Sequence, residues 1–523
     1  MRYFATPNLE KREAENIPQQ FGKVFSPAVS VTISDGSILE RRGTDIAVIR
    51  SELLAIHPDS GSWAFLTPAE GKLLSMIDRT PYGQLDGSWP RLGAFIASLW
   101  RRGLISINGH RAVDEAMFED SPNFHEGHLV ELLLTEKCNL ACGYCLAGAN
   151  PNMPAMTPEI ARRTVDLAFG MNEARVLGFE FSGGEPFLKF GLMRELATYI
   201  QSHPHRNGRR VFLSVQSNGT LLTVERVQWL KDNQVSVGIS LDGQPWSQNL
   251  SRPMLNGGQS FQQLLRGIDL LQRADVPFGA LVVLNRSNVG SVHELIDFCL
   301  DNDIRSFKLN PVSFLGTAQQ NWNNVGLTQE EIVAYFIQLI ALIGDRGYPL
   351  MEANVRTMLQ FLTSKQRTTR CLRTHCGAGD TFQAISAAGD IYPCGRSTQT
   401  PALKLGNVLD VALNSLSAPA RHNPYIEEIR NRRPTNLDEC TICEYRQFCQ
   451  AGCSAQAFEK YGTVRHRTPE CHFFKSLYPH LMYELSFRRE MFKVFERNGY
   501  LGREGVLIHD EFGIAAHSSA RVG

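Results

Sequence analysis

The cysteines constrain what this chain can fold into more than any other feature of its sequence. Of the 12 cysteines, three form the motif Cys138-x3-Cys142-x2-Cys145 and eight lie within residues 371–471. The remaining one, Cys299, lies in the apolar pattern HELIDFCL and is expected to be a buried small hydrophobic residue. Cysteines that cluster in a reduced compartment tend to bind metal or to carry redox chemistry.

The start of the chain and its charge indicate such a compartment. The first 15 residues carry charges where a secretory signal would be apolar, and apolar stretches such as 278–284 and 335–343 are too short to span a bilayer. Lys+Arg and Asp+Glu are both 53, so the chain has no general attraction to nucleic acid or anionic membranes. We therefore expect a cytoplasmic protein of two or three domains, with no nucleic-acid or membrane partner.

The chemistry of the cysteine triplet favours an iron–sulfur cluster over zinc. Three thiolates hold three corners of a [4Fe–4S] cubane and leave one iron open to a small-molecule ligand. A structural zinc site is the alternative, but it requires four protein ligands. No fourth Cys or His lies near Cys138, Cys142 and Cys145 in the sequence.

Between residues 126 and 345, short apolar runs alternate with amphipathic segments. The six apolar runs are 129–135, 175–182, 211–217, 235–241, 278–284 and 305–312. The helix-like segments between them lie near 157–170, 190–203, 223–232, 260–274 and 291–302. This alternation predicts an α/β fold with a parallel sheet, a partial (β/α)6 barrel of the TIM type. Functional residues of such a barrel lie at the carboxyl ends of its strands.

Short motifs follow the first four apolar runs. The cysteine triplet follows the first run, and the next three runs are followed by Ser182-Gly183-Gly184-Glu185-Pro186, Gln216-Ser217-Asn218-Gly219 and Ser240-Leu241-Asp242-Gly243. Paired glycines let a ligand approach the backbone, and Glu185 is a candidate partner for an ammonium group. Each motif alone is typical of a turn, but their placement at successive strand ends indicates one binding site.

The triplet, with Tyr144 before its last cysteine, and the GGEP motif resemble the radical S-adenosylmethionine (SAM) superfamily. The resemblance implies that the open iron binds SAM and that reduction cleaves SAM to methionine and a 5′-deoxyadenosyl radical, which removes a substrate hydrogen. It also implies that Gly183, Gly184 and Glu185 meet the SAM amino group and that Tyr144 lies near the adenine. The further candidates for SAM contacts are Asn218, Ser240 and Arg252.

The second cysteine-rich region, residues 371–475, resembles the SPASM extension of radical SAM enzymes. A zinc ribbon would use four of its eight cysteines, whereas two four-cysteine clusters use all of them. The resemblance implies one auxiliary [4Fe–4S] cluster on Cys371, Cys376, Cys394 and Cys453, and a second on Cys440, Cys443, Cys449 and Cys471. With the SAM-binding cluster this makes three [4Fe–4S] clusters. Full cysteine ligation favours electron transfer as the auxiliary role.

The region before the barrel, residues 28–112, has two or three strand-like segments and about three helices, the pattern of a small winged-helix-like α+β domain. Thr67 is expected to cap a helix from Pro68, with Glu70 in the capping-box position. The pattern resembles the peptide-recognition domain that binds leader segments of ribosomally made precursor peptides. Two alternatives remain: a domain that only packs against the barrel, or a DNA-binding winged helix that uses Arg41, Arg42, Arg101 and Arg102. Residues 1–27 form an N-terminal segment, and residues 476–523 a C-terminal helix and tail.

These resemblances together imply a radical SAM maturase that forms an oxidative intrapeptide cross-link, either a thioether or a C–C bond of the cyclophane type. Its partners would be a precursor peptide or protein with a leader segment and a reduced electron donor such as ferredoxin or flavodoxin. The alternatives are sulfatase-type formylglycine maturation, peptide epimerisation and radical SAM chemistry on a small metabolite. Sulfatase maturases carry an Asp after the cysteine that corresponds to Cys394, where this chain has Gly395, and this difference counts against formylglycine formation. The sequence identifies no catalytic base.

Overall fold

The computed structural model describes residues 33–500, except for 42–43, 90–91, 113–118, 121–126, 172, 364–365, 368, 370 and 373–374. The expected N-terminal segment 1–27 lies outside these residues, as do Arg42 and the tail that follows residue 500. Among the described residues no single helix is long and apolar enough to cross a membrane, although the helices Thr317–Val325 and Gln329–Arg346, bent by 72°, meet the length and composition criteria as a pair.

The N-terminal part consists of short strands and two α-helices. Its elements are β1 (Ile38–Glu40), β2 (Asp45–Ile49), β3 (Glu52–His57), β4 (Ser62–Leu66), α1 (Pro68–Met76), β5 (Asp78–Pro81), α2 (Leu92–Arg101) and β6 (Ser106–Ile107). They form two antiparallel three-stranded sheets, ordered β5–β1–β6 and β2–β3–β4. Thr67 caps α1 in a capping box with Glu70, as the sequence predicts. The described part thus has more strand and fewer helices than we expected.

Strands β3 and β4 of the β2–β3–β4 sheet are buried on both faces, because their side chains alternate between two cores. Leu54, Ile56, Trp63 and Phe65 belong to the main core of the protein. Their neighbours Ala55, Ala64 and Leu66 belong to a smaller core beneath α1 and α2. The Phe65 ring lies 6.1 Å from Tyr483 and 5.0 Å from Phe487, near the C-terminal end of the described chain. The N-terminal part is therefore attached to the rest of the protein through an apolar sheet face.

The six apolar runs form neighbouring parallel strands, as predicted. After β7 (Glu119–Asp120) these strands are β8 (Gly127–Thr135), β9 (Val176–Gly183), β10 (Arg210–Ser217), β11 (Ser236–Leu241), β12 (Phe278–Leu284) and β13 (Ser306–Pro311). The intervening helices are α3 (Pro158–Phe169), α4 (Phe190–Gln201), α5 (Val224–Asp232), α6 (Pro245–Ser251), α7 (Phe261–Arg273) and α8 (Val292–Asp301). Thr157, Thr223 and Ser291 start α3, α5 and α8, since each side chain accepts a backbone N–H three residues ahead.

After the sixth strand come α9 (Thr317–Val325), α10 (Gln329–Arg346), β14 (Met351–Glu352), α11 (Ala353–Thr363) and β15 (Gln366–Arg367), which pairs with β7. Three further strands, β16 (Phe382–Ile385), β17 (Asp390–Tyr392) and β18 (Gly406–Asn407), continue the barrel sheet. The ten-stranded order is β14–β13–β12–β11–β10–β9–β8–β16–β17–β18, and β16 lies parallel to β8. The cysteine-rich region is thus joined to the barrel through the strand that precedes the cysteine triplet.

Helices complete the C-terminal region. They are α12 (Ala418–Arg421), α13 (Pro424–Asn431), α14 (Asp438–Thr441), α15 (Arg446–Cys449), α16 (Ser454–Tyr461), α17 (Cys471–Phe487) and α18 (Arg489–Arg497). The long helix α17 packs against α10, where the rings of Phe336 and Phe473 meet edge to face at 4.9 Å. Another side of α17 carries Tyr483 and Phe487, which pack against the N-terminal sheet.

Candidate active site

The cysteine triplet lies in the loop that follows β8. Its three thiols are partly exposed. The backbone N–H of Leu140 donates to Cys138 Sγ at 3.4 Å, and the loop is held from the side by Asn321, whose Nδ2 donates to the Gly143 carbonyl at 3.1 Å. Burial, and then the neighbouring thiols, raise the pKa of Cys142 to about 12. The three sulfurs are therefore close enough to influence one another.

Gly183 and Gly184 allow the second strand end to pack directly on this loop. Gly183 has a φ of +121°, and a Cβ there would lie 2.1 Å from the Thr135 carbonyl oxygen. A Cβ on Gly184 would lie 2.1 Å from the Lys137 carbonyl oxygen. The N–H of Gly184 donates to Thr135 at 2.7 Å. Both positions require glycine because the backbone of the cysteine loop occupies the space of a side chain.

Glu185 is buried between the second and third strand ends. Its Oε1 accepts the Phe187 N–H at 3.1 Å and the Ser217 hydroxyl at 2.9 Å, and its Oε2 accepts the Asn218 N–H at 2.8 Å. The residue is 0% exposed, and burial raises the pKa of this carboxyl to about 7. The side chain thus links the second strand end to the third. A contact of Glu185 with the SAM amino group stays a prediction.

Asn218 and Ser240 lie on successive strand ends. Asn218 Nδ2 donates to Asn139 Oδ1 at 2.9 Å and lies 3.7 Å from Cys138 Sγ, so Asn218 borders the cysteine loop. Ser240 Oγ accepts from Gln216 Nε2 at 2.9 Å. Both residues therefore carry polar groups into the region that the triplet faces.

Tyr144, Asp242 and Arg252 form a buried polar cluster beside Cys142. The Tyr144 hydroxyl donates to Asp242 Oδ2, Arg252 Nη2 donates to Asp242 Oδ1 at 3.2 Å, and the Arg252 guanidinium lies 5.3 Å from the centre of the Tyr144 ring. Burial acts to lower the pKa of Arg252, but Asp242 outweighs it and the net pKa is raised. Arg252 Nε also lies 3.2 Å from Asp242 Oδ2, so the guanidinium pairs with both oxygens of this carboxylate.

Asp242 is a site residue that sequence reasoning missed as an individual candidate. The motif Ser240-Leu241-Asp242-Gly243 places it at the fourth strand end, but nothing in that motif shows that it pairs with Tyr144 and Arg252. Its Oδ1 also accepts the N–H of Val283, on β12. Asp242 is thus the hub that joins three strand ends.

A match to a known protein family identifies the site that these residues form. Residues 132–299, which include the triplet, the GGEP motif and all the candidate SAM contacts, match the family model described as the Radical SAM superfamily. The protein is a radical SAM enzyme. The donor set fits the groups that this family implies, a [4Fe–4S] cluster and SAM, since three thiols on one loop supply three corners of a cubane and leave one iron for SAM.

Two curated relatives are similar to this chain over 60% or more of its length. An AdoMet-dependent heme synthase of Methanosarcina barkeri is 26% identical over 66% of this chain and 95% of its own length. A cysteine-type anaerobic sulfatase-maturating enzyme of Clostridium perfringens strain 13 is 24% identical over 60% of this chain and 85% of its own length.

Two solved structures share the fold of this radical SAM enzyme. Native anSMEcpe with bound AdoMet and Cp18Cys peptide superposes with a TM-score of 0.60 at 19% identity, over 70% of this chain and 98% of that one. Streptococcus suis SuiB bound to precursor peptide SuiA superposes with a TM-score of 0.50 at 15% identity, over 84% of this chain and 99% of that one.

The first set of four cysteines in this radical SAM enzyme gathers beside the barrel. Cys371 and Cys376 precede β16, Cys394 follows β17, and Cys453 precedes α16. Burial raises the pKa of Cys394 to about 12, and the neighbouring Cys453 and Cys376 add to the rise. The Ser454 hydroxyl lies 3.6 Å from Cys376 Sγ. Residues from three separate segments thus meet, and their joint ligation of one cluster stays a prediction.

The second set of four cysteines lines one cavity. Cys440, Cys443, Cys449 and Cys471 all border it, together with the cationic residues Arg446, Arg467 and Lys475 and the acidic Glu439. Arg467 Nη1 lies 3.7 Å from Cys471 Sγ. Four thiolates around a cluster carry net negative charge, and the cations at the cavity wall would offset it. Cys299 lies apart on α8 and is 0% exposed, as we expected of a hydrophobic packing residue.

Proposed function

We propose that this radical SAM enzyme modifies a ribosomally made peptide or protein and forms an oxidative intrapeptide cross-link, either a thioether or a C–C bond of the cyclophane type. The observation that carries the proposal is the attachment of the first four-cysteine set to the barrel wall. The strand β16 extends the barrel sheet beside β8, and the loop of Cys394 reaches the barrel side chain Glu131. An electron acceptor held there lies next to the substrate, as an oxidative bond-forming reaction needs.

The residues that would hold the cofactors are assigned from these positions. Cys138, Cys142 and Cys145 would hold the SAM-binding [4Fe–4S] cluster, and the two four-cysteine sets would hold the auxiliary ones. When bound, the cluster and SAM supply a 5′-deoxyadenosyl radical that removes a hydrogen from the substrate. A reduced electron donor such as ferredoxin or flavodoxin completes the system.

The polypeptide contributes positioning and exclusion of water. The close packing of Gly183 and Gly184 on the cysteine loop fixes the second strand end against the triplet. The buried Tyr144–Asp242–Arg252 cluster holds the Tyr144 ring in one orientation beside the cysteine loop. Each of these groups is fixed before the ligand arrives, so that little ordering cost remains for binding.

Residues 33–112 are proposed to recognise the leader segment of the substrate. Strand β2 is an edge of the β2–β3–β4 sheet, and its Val48 is 68% exposed. An extended peptide can add to such an edge through main-chain hydrogen bonds. The opposite face of this sheet packs on α17, so a leader bound at β2 would be held at a constant position relative to the barrel.

Formylglycine maturation is the second candidate, because a curated relative carries that activity in its name. Position 395 cannot supply an acidic side chain here. A Cβ on Gly395 would lie 2.2 Å from Glu131 Oε2, so the carboxylate of Glu131 already occupies this space. A formylglycine product would contain an aldehyde, which a hydrazide reagent labels and a cross-link does not.

The test is product analysis on the reconstituted protein. Full-length enzyme with all its iron, SAM and a reductant is incubated without oxygen with short peptides encoded beside its gene, and products are read by tandem mass spectrometry. We expect a loss of two hydrogens with fragmentation blocked between two residues, and thiol alkylation then separates thioether from C–C linkage. An unchanged mass with continued 5′-deoxyadenosine release would overturn the cross-linking proposal and leave epimerisation or a metabolite substrate.

A further inference from the structure

Two carboxyl groups stand side by side on the inner face of the barrel. Glu131 on β8 and Glu180 on β9 are direct partners in the register of these parallel strands, and neighbouring strands lie about 4.8 Å apart. Both side chains are partly accessible. The strand neighbours that point to the outer face are all 0% exposed: Val130, Leu132, Phe179 and Phe181. The alternation of the strands thus directs both carboxyls into the lumen.

Two carboxylates at this separation cannot both ionise readily, because each charge disfavours the other. Burial, and then the charge of Glu131, raise the pKa of Glu180 to about 8. Burial also raises the pKa of Glu131. The charge of Glu131 therefore favours the protonated form of Glu180, and the pair is suited to share a proton.

Neighbouring groups keep the pair in place without neutralising it. Ser182 hydrogen-bonds Glu131, and Ser214 hydrogen-bonds Glu180. Lys308, on β13, is the cation whose charge acts on Glu180. Arg396, on the loop of Gly395, donates instead to Ser313 Oγ at 3.0 Å.

The pair also lies against the first four-cysteine set. A Cβ on Gly395, the residue after Cys394, would lie 2.2 Å from Glu131 Oε2 and 2.7 Å from its Oε1. The backbone of the cysteine loop thus lies directly against the Glu131 carboxylate. Glu131 is at the same time on the strand that leads into the triplet loop. The carboxyl pair therefore lies beside the loop of Cys394, on the strand that leads to the triplet.

A purely structural explanation accounts poorly for this arrangement. The interior of a TIM-type barrel is usually filled by layers of branched apolar side chains. Two partly buried carboxyl groups next to each other lower the stability of the folded protein unless each has a hydrogen-bond or charge partner. A carboxyl pair with one shared proton is instead suited to accept a second proton from a bound group, as in other carboxyl dyads.

We propose that Glu131 and Glu180 act together as the proton acceptor for a thiol of the bound peptide (X–H, where X is sulfur) when that thiol becomes the nucleophile of a thioether cross-link. The X–H bond of the peptide breaks, its electron pair stays on X, and its proton passes to a carboxylate oxygen of the pair. The pair goes from one proton and one negative charge to two protons and no charge, and the peptide group gains the negative charge. This role rests on the proposed peptide-modifying function.

The first test needs no substrate. Infrared difference spectra of the full-length holoenzyme are recorded as the pH is raised through about 8, where Glu180 is expected to lose its proton. The wild type should lose a carboxylic-acid C=O band over that range, and Glu131→Gln and Glu180→Gln should each lack it. The exposed Glu225→Gln is the matched control and should retain the band. Persistence of the band in both lumen variants would overturn the shared proton.

The second test uses a peptide on which the wild type forms a cross-link. Glu131→Gln and Glu180→Gln should still release 5′-deoxyadenosine, but cross-linked peptide per 5′-deoxyadenosine should fall by about 10²-fold, the usual contribution of a general base. If a Gln variant does not fold, Ser182→Ala takes its place, because this variant keeps both carboxyls. Its ratio of cross-linked peptide to 5′-deoxyadenosine should fall by less than that of the Gln variants. An unchanged product ratio in both Gln variants would refute the acceptor role. If the wild type modifies no peptide, the proposed function fails and this role fails with it, while the infrared band still reports the shared proton.

Discussion

The hydroxyl of Tyr144, the residue before the last cysteine of the triplet, donates to the carboxylate of Asp242 at the end of the fourth strand. Asp242 also pairs with Arg252, and the two charged side chains of this ion pair are 0% and 7% exposed. A residue of the cluster-binding loop is thus locked to a strand end that lies 98 residues away in the chain. This link makes the geometry of the loop depend on the packing of the whole barrel.

Asp242→Asn should strongly destabilise the protein. The substitution leaves Arg252 buried without its counter-charge, and breaking a buried pair in this way costs about 3–5 kcal/mol. Thermal unfolding of the full-length protein measures the effect. Asp269→Asn breaks the exposed pair with Arg273 and should cost less than about 1 kcal/mol. Equal stability losses in the two variants would contradict the role of Asp242 as a buried hub.

Replacing Cys138, Cys142 and Cys145 together with Ala should abolish SAM cleavage and remove about a third of the iron, since one of three proposed clusters is lost. The variant should keep the iron held by the two four-cysteine sets. Iron analysis and chromatography of 5′-deoxyadenosine measure the two outcomes. Cys299→Ala, in which a buried thiol outside all three sets is removed, should retain full iron and SAM cleavage. Continued 5′-deoxyadenosine release by the triple variant would show that the SAM site lies elsewhere.

Gly184→Ala should weaken SAM binding while the fold persists. The added Cβ would meet the Lys137 carbonyl at 2.1 Å, and because that atom belongs to the backbone, the cysteine loop must shift. We expect at least a tenfold loss of SAM affinity, about 1.4 kcal/mol, by isothermal titration of the reconstituted protein. Gly191→Ala adds a methyl group with no atom within 4 Å and should bind SAM as the wild type does. If Gly184→Ala binds SAM as tightly as the wild type does, the loop accommodates a side chain at this position.

Stability should fall below neutral pH because of His480. Burial, and then Arg50 and Arg488, lower the pKa of His480 from 6.5 to about 4, and Arg50 Nη2 donates to its Nδ1 at 2.8 Å. Between these two pH values the unfolded chain takes up a proton that the folded chain does not. The stability contribution is therefore present above pH 6.5 and is lost as the pH falls toward 4, by up to about 3 kcal/mol.

The measurement is the thermal unfolding midpoint as a function of pH. His480→Gln keeps an acceptor for Arg50 but does not titrate, so its midpoint should depend less on pH in this range. His422→Gln, at an exposed position, should follow the wild-type profile. A His480→Gln profile that parallels the wild type would show that other groups cause the acid loss.

The local pattern of the sequence was sufficient to predict the strands and the loops that carry the site. The alternation of apolar runs and amphipathic helices predicted the six parallel strands β8–β13, and the motif after each run was correctly placed at a strand end. The capping box of Thr67 and Glu70 was also predictable, because its two residues are three positions apart. The cysteine spacings indicated iron–sulfur chemistry for the same reason, since a metal-binding loop is a local feature.

The tertiary structure decided what distant residues do to one another. The Glu185 carboxyl accepts hydrogen bonds from Ser217 and Asn218 on the next strand end, contacts that the GGEP motif alone does not reveal. The cluster around Asp242 and the pairing of Glu131 with Glu180 arise only once strands are neighbours in a particular register. Hydrogen bonds and charge pairs act over a few ångströms, and the sequence does not state which of its distant residues come that close. The sequence therefore determined the elements and the chemistry they carry, and the packing of those elements decided which side chains meet.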